Sequence, residues 1–120
     1  MLSIEEKTRA VVDALEDIKA DDITVIDTSK LSSMFERMII ASAKSTRQTR
    51  AIADNVVVKL KERGEQVYGR EGEDSGEWIL VDLGEVLVHI MQPAVREYYN
   101  LEELWIRGQA LRPKLAKAPE

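Results

Sequence analysis

The stretch Trp78–Gln92, WILVDLGEVLVHIMQ, limits what this chain can fold into more than any other. Two apolar runs, Trp78–Leu83 and Val86–Gln92, are rich in Val, Ile and Leu, the composition of β-strands. Gly84-Glu85 joins them. A two-residue loop with glycine first suits a type II′ turn, because its first central position needs φ > 0, which glycine takes without steric cost. Such a turn sets the register, with Leu83 opposite Val86, Val81 opposite Val88 and Ile79 opposite Ile90 on one wholly aliphatic face. Alternation then places Trp78, Leu80 and Asp82 beside Leu87, His89 and Met91 on the other face, where apolar bulk is mixed with two ionisable groups. The aliphatic face is a core face.

Around the hairpin the remaining elements follow. Pro93 fits the first position of a short helix running to about Tyr99, and Leu101, Leu104 and Trp105 recur at helical spacing beyond it. Upstream, Ser3 and Glu6 form a capping-box pattern opening a helix that buries Val11, Val12, Leu15 and Ile18 and ends near Ala20. Ile23–Thr28 is strand-like by its β-branched content, and Met38–Ala43 reads as a buried strand. Ser45 and Gln48 mark a second capping box, opening a helix that buries Ile52, Val56 and Leu60 and stops at Gly64. Gln66–Tyr68 is expected as a short strand and Arg70–Gly76 as a polar loop. The order predicts a single α/β domain over residues 1–105, a mixed sheet flanked by helices, since the hairpin is antiparallel while helix-linked strands can be parallel. Residues 106–120, with Gly108, Pro113 and Pro119, are expected as a flexible basic tail.

Composition excludes several classes of function. There is no cysteine and one histidine, so disulfides and the usual Cys/His zinc sites are out. No apolar run approaches the ~20 residues that span a bilayer, and the start lacks the pattern of a secretory signal, which favours the cytoplasm and no membrane partner. A net charge of −5 argues against DNA binding. Residues 106–120 carry four basic side chains against Glu120, or +3, so the remainder carries −5 − 3 = −8, a body suited to a basic protein partner.

Three groups of residues invite a chemical reading. Asp82 and His89 are diagonal neighbours in the hairpin register, within reach for a carboxylate to orient an imidazole, although no Ser or Cys nucleophile accompanies them. Asp27 and Asp82 lie at strand ends, where magnesium-binding carboxylates of phosphoryl-transfer enzymes occur. The glycines at 69, 72 and 76 sit in an acidic loop and match no phosphate-binding pattern, so no cofactor is implied. Lys44, Arg47 and Arg50 could touch RNA or remain solvated surface. The aromatic residues Trp78, Tyr98, Tyr99 and Trp105 are expected mainly to fill a core, with Trp105 buried, though interface hot spots use the same residue types.

The run W-I-L-V-D-L-G-E-V-L-V-H-I-M-Q followed by R-E-Y-Y-N-L-E-E-L-W closely resembles the signature of the Iojap-like ribosomal silencing factors, RsfS. Asp22-Ile23, Asp27, Met38-Ile39-Ile40, Ile52-Ala53-Asp54 and Glu71-Gly72 extend the resemblance over nearly the whole chain to Trp105. It implies a nucleotidyltransferase-like topology without the paired carboxylates of those enzymes. It also implies a non-enzymatic function: binding the large ribosomal subunit through its protein L-fourteen, so that the small subunit cannot join and translation is damped. In the matching motif, Trp78, Leu83, Tyr99, Leu101 and Glu102 are the expected partner-binding residues. The alternatives are a nucleotidyltransferase-like enzyme using Asp27 and Asp82 with magnesium, and an adaptor that forms a homodimer when free.

Overall fold

The computed structural model describes residues 2–105; the tail expected over 106–120 lies outside them. Helix α1 spans Ile4–Asp17, strand β1 Asp21–Asp27, β2 Arg37–Ser42, α2 Thr46–Glu62, β3 Gly69–Glu71, β4 Trp78–Asp82, β5 Val86–Met91 and α3 Pro93–Tyr99. Residues 101–105 form one more helical turn. The five strands make one sheet in the order β1-β2-β5-β4-β3. All pairings are antiparallel except β2 with β5. The chain leaves the sheet after β2, crosses through α2, re-enters at the far edge as β3 and returns by β4 to β5. The one parallel pair therefore lies at the centre.

The expected hairpin register holds. Ile79 faces Ile90 and Val81 faces Val88, and the Leu83 N–H donates to the Val86 carbonyl at 3.0 Å. Gly84 sits at φ +88°, and Glu85 is not among the residues with positive φ, as a type II′ turn requires. A Cβ at Gly84 would lie 2.8 Å from the Tyr68 ring, so this turn also needs glycine to let Tyr68 lie across it.

Two cores form on opposite faces of the sheet. Val11 and Leu15 of α1 and Ile52, Val56 and Leu60 of α2 meet Ile39, Ile79, Val81, Val88 and Ile90. All ten are fully buried, and each such side chain contributes roughly 1.5–3 kcal/mol. On the other face, Ile26, Met38, Ile40 and Met91 form a smaller core, roofed by Phe35, Val95, Leu101 and Trp105.

Side-chain chemistry explains the ends of the elements. The Ser3 hydroxyl accepts from the Glu6 N–H and the Glu6 carboxylate accepts from the Ser3 N–H, the full capping box. At α2 only half of the expected box forms: Ser45 accepts from the Gln48 N–H, while Gln48 Oε1 takes the N–H of Lys44 instead. Helix α1 stops three residues before Ala20, because Lys19 turns to φ 58°. The third strand begins at Gly69, not Gln66. Glu65 is held by Lys7 and the Leu2 N–H, and pairing starts only where the Tyr68 N–H reaches the Asp82 carbonyl. Arg70, expected in a loop, lies in β3 and bridges to Asp54 at 2.9 Å and to Glu73.

Lys7 and Glu65 are both buried and 3.0 Å apart. Lys7 also donates to the Leu83 carbonyl at 3.2 Å, pinning α1 to the hairpin. A buried pair that keeps such further hydrogen bonds offsets its desolvation cost.

Candidate partner-binding site

Helix α3 begins with Pro93 at its first position, ends at Asn100 in the left-handed region, and buries none of its side chains. It is fastened by Arg96. The guanidinium donates to Ser42 Oγ of β2 at 2.7 Å, to Thr24 Oγ1 of β1 at 3.0 Å and to both oxygens of Glu102. Arg96 beside it is the main reason the Glu102 carboxyl is held below the usual carboxylate range. With Arg96 turned to the sheet, Tyr98 and Tyr99 face outward, 81% and 54% exposed.

Trp78, at the start of β4, meets them. Its ring centre lies 4.9 Å from Tyr99, which packs edge-on to Tyr98 at 5.0 Å. Together with Val95, Ala94 and the rim residues Ser75 and Glu77 they enclose an open groove of about 420 Å3. Behind Trp78 lies a second cleft of about 240 Å3, lined by Leu80, His89, Glu71 and Gly72. Gly72 is required there, since at φ +91° a Cβ would sit 1.9 Å from the Trp78 carbonyl oxygen. Leu80 and Leu87, on the same face, are half-buried.

The loop before Trp78 is held from α2. Thr49 Oγ1 donates to the Gly76 carbonyl at 2.6 Å, and Arg50 donates to the carbonyls of Glu73 and Asp74 at 2.9 and 2.8 Å. Arg50 is thereby committed within the fold, while Lys44 and Arg47 stay exposed.

Of the five expected partner-binding residues, the structure brings Trp78 and Tyr99 together on the surface. Leu101 is half-buried in the roof of the smaller core. Glu102 turns inward to Arg96 and Thr24, so its charge is neutralised within the fold. Leu83 is fully buried and cannot present its side chain to a partner; strand alternation sends it into the larger core. Tyr98, left out of that set, is the most exposed of the tyrosines. The aromatic cluster therefore divides: Trp78 and Trp105 pack half-buried against the smaller core, while Tyr98 and Tyr99 are exposed. Trp105 is half-buried, edge-on to Phe35 at 5.4 Å.

The catalytic arrangements do not assemble. His89 is engaged by Trp78, whose indole N–H donates to Nδ1 at 2.9 Å, while Asp82 accepts from the Gly84 N–H at 2.8 Å. Asp82 is diagonal to His89, as the hairpin register predicts, but its carboxylate is turned to Gly84 instead. Asp27 accepts from the N–H and hydroxyl of Ser29 at 2.9 and 2.6 Å, which lowers its pKa. Its strand is separated from that of Asp82 by β2 and β5. Three strand spacings amount to roughly 14 Å, too far for one metal ion to bridge the two carboxylates. Among the described residues no group of three or more His, Cys, Asp or Glu side chains could hold a metal ion, and no helix is long and apolar enough to cross a membrane.

The family model described as "Ribosomal silencing factor during starvation" matches residues 2–120. The chain belongs to this family. A ribosomal silencing factor of Chromobacterium violaceum is 55% identical over 104 residues, covering 87% of this chain and 85% of that protein. A crystal structure of a protein from the same organism, also 55% identical, superposes with a TM-score of 0.85 over 87% of each chain. The mouse protein named "Mitochondrial assembly of ribosomal large subunit protein 1" is 35% identical over 98 residues, covering 79% of this chain and 43% of its own length. The family is regulatory rather than enzymatic. Within it, this chain offers a half-open sheet face ending in three aromatic rings.

Proposed function

We propose that this protein binds the large ribosomal subunit through its protein L-fourteen, at the face where the small subunit docks, and so silences translation by blocking subunit joining. Family membership supports the silencing role, and the name of the mouse relative supports the large subunit as the target. The observation that carries the reading is the row of half-buried Trp78 and exposed Tyr99 and Tyr98 around an open groove. Aromatic rings of this kind anchor interfaces, because they bury much area while ordering few torsions. The body's charge of −8 suits a basic ribosomal protein, since opposite potentials speed encounter and favour the right orientation.

In this reading Trp78, Tyr98 and Tyr99 touch the partner, while Leu101 and Glu102 hold the helical turn behind them. The action is steric occupation of a surface. Sedimentation with separated ribosomal subunits tests the assignment: the protein should travel with large subunits and lower the yield of joined ribosomes. Travel with small subunits alone, or with neither, would overturn it.

A further inference from the structure

The second cleft ends at a histidine that the docking surface does not itself expose. We infer that His89 is a positioning residue: its imidazole fixes the orientation of the Trp78 indole, and docking depends on that orientation. The inference rests on the docking role proposed above for Trp78.

Trp78 is held from two sides, by Tyr99 at 4.9 Å between ring centres and by His89 at 5.8 Å. Stacking alone leaves a ring free to slide or flip, whereas a hydrogen bond at a fixed atom does not. The indole N–H donates to His89 Nδ1 at 2.9 Å. Indole nitrogen can only donate, so Nδ1 must be bare and the neutral ring must carry its proton on Nε2.

That Nε2 is buried and has no hydrogen-bond partner among the described residues, and the residue as a whole is 7% exposed. A buried donor without an acceptor costs stability, as does desolvating an ionisable ring. Leucine or methionine would suit the position better on packing grounds, among neighbours such as Leu80, Leu87 and Met91. Nor does His89 serve Asp82, which is turned to Gly84. Among the described residues, the one hydrogen bond the ring makes is to Trp78. Histidine here is thus poorly explained by stability and well explained by the indole it orients.

The test uses the full chain and two variants. His89→Leu removes the acceptor and the orphaned donor together. His89→Asn restores an acceptor, because the asparagine Oδ1 is attached at the same point along the side chain as Nδ1. The readouts are the melting temperature, the affinity for isolated large subunits, and the Trp78 indole N–H in a proton–nitrogen correlation spectrum, assigned with Trp78→Phe. In His89→Leu the indole signal should move and exchange faster with water. Melting should stay at or above that of the parent, and affinity should fall about tenfold, which is about 1.4 kcal/mol. His89→Asn should recover most of the signal and the affinity.

Parent-like affinity in His89→Leu would overturn the inference. So would His89→Asn binding as poorly as His89→Leu, or both variants melting far below the parent, which would make the histidine a structural residue. Should the parent itself fail to bind large subunits, the docking proposal falls. The indole signal then decides the positioning claim alone, and a signal unchanged in His89→Leu would refute it.

Discussion

The Arg96 guanidinium grips both carboxylate oxygens of Glu102, Nε to Oε1 at 2.9 Å and Nη2 to Oε2 at 2.8 Å. The pair closes the turn at Asn100 and ties helix α3 to the following turn of helix, and Ser42 and Thr24 fasten it to two strands. Glu102 therefore acts on the aromatic surface from inside. Replacing it with lysine puts two cations together in a site where the arginine is only 11% exposed. Glu102→Lys should destabilise the fold by roughly 2 kcal/mol, because removing one partner of a largely buried pair leaves the other uncompensated. Thermal melts should show a loss on the order of 10 °C, together with weaker ribosome binding. An unchanged melt would mean that the clamp contributes nothing to stability.

Tyr98 and Tyr99 separate surface from core more cleanly. Tyr98 is 81% exposed, so Tyr98→Ala should leave the melting temperature within a degree or two of the parent. If the pair anchors the partner, each truncation should weaken large-subunit binding, the stronger effect falling on Tyr99, which also backs Trp78. A loss of ~2 kcal/mol would be a ~30-fold change. Co-sedimentation over a concentration series measures it. Two folded variants that bind and block joining as the parent does would place the interface elsewhere, for instance around Leu80 and Leu87.

How much of this was legible in the sequence depended on the range of each interaction. The hairpin was legible because its determinants are local: Gly84 fixes the turn, and alternation fixes which side chains meet. Strand alternation also placed Leu83 on the core face, and that local rule outweighed its position in the motif. Lys7 with Glu65, and Arg96 with Thr24 and Ser42, join positions far apart in the chain, so nothing in their neighbourhoods announces them. Tyr98 and Tyr99 are adjacent in a helix of seven residues, too short for periodicity to show which side is buried. Their exposure follows from Arg96 turning inward, a tertiary fact. Asp82 and His89 share a face as expected, but Gly84 and Trp78 were better placed as partners.

Leu83→Ala should behave as a core truncation. The residue is fully buried beside Lys7, and removing a buried leucine costs about 2–5 kcal/mol. Denaturant melts should show that loss. Large-subunit binding by the fraction still folded, measured at low temperature, should match the parent. A stable Leu83→Ala protein with selectively impaired binding would restore Leu83 as a contact residue.

The final prediction concerns pH. Burial lowers the His89 pKa from 6.5 to about 4, so between those values the unfolded chain binds a proton that the folded chain refuses. Stability must then rise with pH across this window and fall as the solution is acidified. Glu71 of β3 is the carboxylate lining the cleft beside His89, and desolvation is the one cause of the shift. Glu65 and Glu102 have lowered pKa values, so their contributions persist above the ordinary carboxylate range and are lost only on further acidification. From pH 6.5 to 4.5 His89 therefore dominates, and the parent should lose roughly 2 kcal/mol of unfolding free energy. In the folded chain protonation, which turns Nδ1 into a donor facing the indole N–H, comes only as the pH nears about 4, so the Trp78 indole signal should hold steady through most of this window and change at its acid end. His89→Asn, which cannot titrate, should show a nearly flat stability profile across this window. Urea melts at half-unit steps measure both curves. Parallel curves for parent and variant would show that His89 does not titrate with unfolding.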